Sequence, residues 1–238
     1  MASGRNQARP IRQPPAGQAR NGAIDWPMWI ERIERKRRSA NRSHNGAVAR
    51  TPQIYYINAT CASFRLDGME CSLHEAHDAI QPGAAHRRFR SRSAQRIRNH
   101  VAILHSIEGT LRNNWPLKSA AVLRWYTSIS SGLSTNELGV EKMSRLEQIV
   151  RRIDSPQLRL QPSVQEIART HVELLNDPLF PSFNGILSRL LLRYHLGRCS
   201  LPFVIFDEAI PISSLMLEQS LTLSLLASID ESFDSLLA

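Results

Sequence analysis

Long apolar runs are missing from this 238-residue chain. The densest stretch, Leu190 to Leu192, is bracketed by Arg189 and Arg193. A bilayer-crossing helix needs about 20 predominantly apolar residues in a row, so no membrane contact is expected. Cysteine is scarce as well. Cys61, Cys71 and Cys199 are too few and too scattered for a disulfide framework or a zinc cluster. The N-terminal stretch has no apolar signal core. Together these features lead us to expect a reducing, cytoplasmic setting. Lys and Arg are absent from residues 201–238, which hold six acidic residues.

Basic charge is concentrated at the other end. Residues 1–50 carry ten Arg and one Lys against Asp25, Glu31 and Glu34, which accounts for +8 of the net +9. Residues 1–23 are rich in Arg, Gln, Pro, Gly and Ala without a hydrophobic period, so a largely disordered basic arm is expected over 1–50. Within it, Trp26, Trp29, Ile30 and Ile33 have the spacing of a short amphipathic helix over 24–38. Such an arm could hold phosphates through weak nucleic-acid contacts. A second basic cluster, Arg87 to Arg98, reads as a charged loop and helix start.

From Thr51 onward the apolar period is that of helices. The spacing predicts helices over 51–67, 72–80, 94–112, 116–130, 141–153, 163–175 and 184–196, and a last acidic helix within 211–238 that starts at Ser213 or Ser214. Ser72 with Glu75, and Ser163 with Glu166, have the spacing of capping boxes. Gly132 and Gly197 are expected to end helices. Trp115 and Trp125 are expected in the core. The class is mostly α.

The junction at 176–196 is the most specific feature. A loop ending in Asn184-Gly185 feeds an apolar helix whose N-terminal N–H groups can hold an anion. Gly185 permits close approach of a ligand, and the Arg189 guanidinium lies one turn further in. His171 precedes the loop on the same side of the sequence, among apolar residues.

This stretch resembles the core of Fic (Fido) proteins, whose signature is H-P-F-x-[DE]-G-N-G-R-x-x-R. Phe180, Asn184, Gly185 and Arg189 match it, and the Leu-rich helix and the Gly197 to Ile205 tail follow. Ser63, Asp67 and Gly68 resemble the inhibitory helix [ST]-x-x-x-E-[GN] of one Fic class, with Asp in place of Glu. The resemblance implies a Fic-like helical domain over 51–210, with an inhibitory helix at 51–67 and room for a very short β-hairpin flap at 132–140. It also implies transfer of AMP from ATP to protein hydroxyls, nucleotide contacts from Asn184, Gly185 and Arg189, and an Asp67–Arg189 ion pair that restrains ATP.

The departures from the signature fall on the chemistry. The catalytic histidine position is Pro178, the next proline is Leu179, the magnesium-binding acid is Ser182, the first glycine is Phe183 and the first arginine is Ile186. Proline has no titratable group to act as general base. A serine hydroxyl is a poor ligand for Mg²⁺, which favours carboxylates and phosphates. Asp177 and His171 are the residues near enough in sequence to replace the base. The expected function is therefore that of a degenerate Fic-like protein that binds ATP or a protein partner. An active adenylyltransferase with non-standard residues, and a basic-arm nucleic-acid binder, are the alternatives.

Overall fold

The computed structural model describes residues 24–43, 53–81, 92–130, 138–155, 160–205 and 217–237. Residues 1–23 of the arm, Arg87, Arg88 and Arg90 of the second basic cluster, most of the flap segment at 132–140, and Ser213 and Ser214 lie outside them.

The described residues form helices joined by turns and short extended stretches, with no strand among them. The order is α1 Trp26–Ser43, α2 Gln53–Leu66, α3 Leu73–Ile80, α4 Arg92–Arg112, α5 Ser119–Ser130, α6 Val140–Asp154, α7 Leu160–Asn176, α8 Asn184–Arg198 and α9 Leu217–Leu237. Every helix expected from the apolar period is present. The capping box at Ser72 and Glu75 is formed in both directions.

Three expectations about helix ends need correction. α7 starts at Leu160, so Ser163 is a buried residue within the helix rather than its N-cap. Pro162 is tolerated there because the first turn has no intrahelical partner for its missing N–H. α5 starts at Ser119 rather than at Pro116. α8 runs through Gly197 to Arg198. The glycine is there for packing, because a Cβ on it would strike the Leu111 side chain of α4.

The chain leaves α8 through Ser200, which takes a left-handed φ of 55°. Leu201 N–H donates to Leu196 O at 2.9 Å and Ser200 N–H to Gly197 O at 3.0 Å. This paired closure satisfies the last carbonyls of a helix. α4 ends the same way at Asn114, and α2 at Gly68.

Two apolar clusters make the interior. The first gathers residues of α2 to α6, the α7–α8 loop and one side of α8, including Phe64, Ile97, Tyr126, Ile149, Phe180 and Tyr194. The second joins α1, α7, α9 and the other side of α8, including Trp29, Ile33, Val164, Leu192, Leu196 and Leu225. α8 belongs to both, so its residues 186–188 and 190–196 are all buried. This explains its uninterrupted leucines, since a helix enclosed on all sides shows no polar face. Its one buried cation in that stretch, Arg193, pairs with Glu108 at 2.8 Å and lies 3.7 Å from the Phe203 ring centroid.

Residues 24–43 are not part of a disordered arm. Trp29 and Ile33 of α1 are buried in the second cluster. Lys36 and Arg32 pair with the buried Asp230 of α9 at 2.6 and 2.5 Å. The charge pattern hid this because the acidic partner lies near the other end of the chain. Trp115 is also misplaced by sequence: its side chain is exposed, and its backbone is what is engaged, the N–H by Thr110 O at 2.9 Å and the carbonyl by the Tyr194 hydroxyl at 3.2 Å. Trp125 is buried as expected.

Candidate functional site

The site forms where the C-terminus of α2 meets the N-terminus of α8. Asp67 is the residue at which α2 stops. Gly68 follows at φ 72°, and its N–H and that of Met69 bond back to Arg65 O and Phe64 O, each at 2.9 Å. This closure turns the chain sharply, and Asp67 at the turn extends its carboxylate onto α8. One carboxylate oxygen accepts the Ile186 backbone N–H at 3.2 Å, and the other pairs with the Arg189 guanidinium. Arg189 also donates from Nε to Ser63 Oγ at 2.8 Å and from its second nitrogen to Ser63 O at 2.7 Å.

The carboxylate therefore occupies the positive end of α8, where a free N–H and the helix dipole favour an anion. Gly185 makes the approach possible, since a Cβ there would collide with the Asp67 carboxylate. Burial pulls the Arg189 guanidinium below its usual pKa, and Asp67 pulls it back up. Sequence-selected Ser63, Asp67, Gly68, Gly185 and Arg189 are thus brought to one place.

Asn184 is turned elsewhere. Its carboxamide accepts the Phe180 N–H at 3.3 Å and donates to Leu174 O at 2.7 Å. It braces the loop between α7 and α8. Phe180 is buried beneath that loop against the Tyr126 ring, with centroids 4.8 Å apart. Phe183 precedes α8 at φ 57°, a left-handed conformation that costs a side-chain-bearing residue roughly 1–2 kcal/mol. The position aligns with a glycine of the Fic signature, which has no such cost. The Arg96 guanidinium carbon from α4 lies 4.8 Å from the centroid of the Phe183 ring, a cation–π contact that supports the strained residue.

The residues that align with the catalytic positions of the Fic signature have clear surroundings. Pro178 is exposed just past α7. Ser182 Oγ lies 3.4 Å from the Tyr126 hydroxyl, so neutral hydroxyls stand at the position of a metal-binding acid. Among the described residues no group of three or more His, Cys, Asp and Glu could hold a metal ion. The donor set at Ser182 does not fit Mg²⁺, which is bound through carboxylates and phosphates.

Neither substitute base is placed for that role. Asp177 is tied to Arg145 of α6. His171 is buried among α7 and α8 residues beside a small cavity that it shares with Thr170, Ser188 and His195. Its Nδ1 has no hydrogen-bond partner. Burial, with the charge of Arg189, pushes the His171 pKa down to about 4. The same two causes push His100 down to about 3. His100 Nδ1 is bonded to Thr60 Oγ1 at 2.9 Å, and its ring meets Phe64 edge-on.

Sequence reading missed two contacts at this site. The Arg96–Phe183 stack joins elements distant in sequence and leaves no local signal. The Cys61 and Cys71 sulfurs lie 2.9 Å apart, a contact for which the spacing of two scattered cysteines gave no warning.

No family model matches the chain, and no curated protein matches it. Its fold is similar to that of a solved structure of a Fic-1 variant from C. elegans (aa134 - 508), with a TM-score of 0.67 at 14% identity. The match covers 88% of this chain and 71% of that one. The likeness establishes the Fic-like all-helical fold.

Proposed function

We propose that this chain is a Fic-fold binding protein whose α8 N-terminus accepts the phosphates of a nucleotide such as ATP in competition with its own Asp67, and that AMP transfer is lost or much weakened. The observation that carries this reading is the Asp67 carboxylate itself. It sits on the Ile186 N–H and pairs with Arg189, the donors an incoming phosphate would use. Phosphate oxygens match both donor types, since guanidinium forks and helix N-termini are common phosphate partners.

Loss of transfer follows from side-chain chemistry. Efficient proton removal from an attacking hydroxyl needs a positioned base, worth typically 10²–10⁴-fold. Pro178 offers none, Asp177 is engaged by Arg145, and His171 is enclosed. Ile186 contributes a backbone N–H but no side-chain charge. No step of this reading runs through a metal, because Ser182 does not fit one.

Calorimetric titration with ATP, with and without Mg²⁺, tests the reading on the wild type, Asp67→Gly and Arg189→Ala. Asp67→Gly should bind at least about tenfold tighter than wild type, an effect of about 1.4 kcal/mol. Arg189→Ala should bind more weakly than wild type. If none of the three binds ATP, the nucleotide reading is wrong. Label transfer from ATP to protein at a rate typical of protein kinases, about 1–100 per second, would instead make the chain an active transferase.

A further inference from the structure

Two of the three cysteines meet at the corner that presents Asp67. Cys61 is buried on α2, and Cys71 is half-buried in the turn that leads to α3. Their sulfurs are 2.9 Å apart although the residues are ten apart in sequence. A disulfide needs about 2.05 Å, so only about 0.9 Å separates the two sulfurs from bonding distance. The segment they would close, 61–71, contains Ser63 and Asp67, the two residues that hold Arg189.

The geometry points to a dithiol–disulfide site, in which Cys61 and Cys71 are oxidised by a small-molecule disulfide such as oxidised glutathione and the crosslink fixes Asp67 over the α8 N-terminus. Cys71 is the accessible partner and meets the oxidant first. Cys71 gives its proton to solvent as its Sγ attacks one sulfur of the oxidant. The S–S bond of the oxidant breaks and one small thiolate leaves. Cys61 then gives its proton to solvent and attacks Cys71 Sγ in the mixed disulfide, expelling the second small thiolate. Two protein thiols lose two electrons, and one small disulfide becomes two thiols.

The crosslink acts on a corner already shaped for it. It would tie the last turns of α2 to the residue just before Ser72, whose capping box with Glu75 anchors α3. With both ends of the segment fixed, the turn at Gly68 cannot swing Asp67 away from Ile186 and Arg189. In the reduced protein only the non-covalent contacts hold it.

The test uses the full chain in native buffer, equilibrated across ratios of oxidised to reduced glutathione and then alkylated and mapped by mass spectrometry. A linked Cys61–Cys71 peptide is expected, while Cys199 remains a free thiol. Amide hydrogen exchange at Ile186 and Met69 should slow by about tenfold or more on oxidation. Cys61→Ser should stop at a mixed disulfide on Cys71. Three free thiols at the most oxidising ratio, or a crosslink that forms only in denaturant, would overturn the site. A crosslink that leaves Ile186 exchange unchanged would overturn its hold on Asp67. These readouts need no nucleotide, so they succeed or fail apart from the ATP titration.

Discussion

Asp67 and Arg189, 122 residues apart in the sequence, form a single ion pair across the α2–α8 junction, and each keeps most of its side chain from water. Replacing Asp67 by Asn leaves the guanidinium without a countercharge. Loss of one partner of a fully buried pair costs roughly 3–5 kcal/mol. This pair retains some solvent contact, so a loss of about 2 kcal/mol is expected in urea unfolding. An anion that displaces the neutral carboxamide restores stability by mass action. Millimolar inorganic phosphate should therefore recover part of the loss in Asp67→Asn and do little for the wild type. Equal phosphate effects in the two proteins would remove the case for an anion site.

Acid should destabilise the fold through its buried histidines. His100, His171 and His195 are held at about 3, about 4 and about 4 by burial, against an ordinary 6.5. A depressed pKa means that the unfolded chain takes up protons first as the pH falls. The histidine contribution is thus complete above pH 6.5 and declines toward pH 4, levelling off once the folded imidazoles protonate. Each imidazole adds a slope of about 1.4 kcal/mol per pH unit across that window. His171→Gln should flatten the dependence of the urea midpoint between about pH 6 and about pH 5, and an unchanged slope would place His171 outside this effect.

Gly109 offers a gain. It lies inside α4, and a Cβ there meets nothing within 4 Å. Gly109→Ala should stabilise the protein by about 0.5–1 kcal/mol through helix propensity and a less flexible unfolded chain. Urea unfolding at neutral pH reads the change directly.

Trp29 tests whether α1 belongs to the fold. Its side chain is buried against α7 and α9 residues in the second cluster. Trp29→Ala should cost about 3–5 kcal/mol, the range for truncating a buried aromatic side chain. A loss below about 0.5 kcal/mol, the size of an exposed substitution, would return α1 to the arm.

The helices were legible because their apolar residues recur with the period of the buried stripe, as in α6 at Leu146, Ile149, Val150 and Ile153. The meeting of Asp67 with Arg189 was legible only through the likeness of two separated motifs to one family. Helix ends were read less well. Gly197 looked like a terminator, but its bare Cα makes room for Leu111, a tertiary demand that leaves no local trace. The resemblance implies a ligand contact from Asn184, and in the structure its carboxamide bonds to Phe180 and Leu174. A residue type indicates which bonds it can make and leaves the choice among them to packing. The place of α1 is hidden in the charge pattern along the chain, because Lys36 and Arg32 are neutralised by Asp230 across it.

The carboxylate that fills the α8 N-terminus is carried by the same polypeptide, so its local supply does not change when the protein is diluted. A tethered group of this kind competes at an effective concentration of order millimolar or above. In the proposed function, a phosphate-bearing ligand would therefore meet a fixed handicap that neither protein abundance nor dilution can lift. Occupancy responds only to the amount of ligand and to whatever alters the freedom of the α2–α3 corner. In that reading the turn at Gly68 sets the threshold at which the site begins to fill.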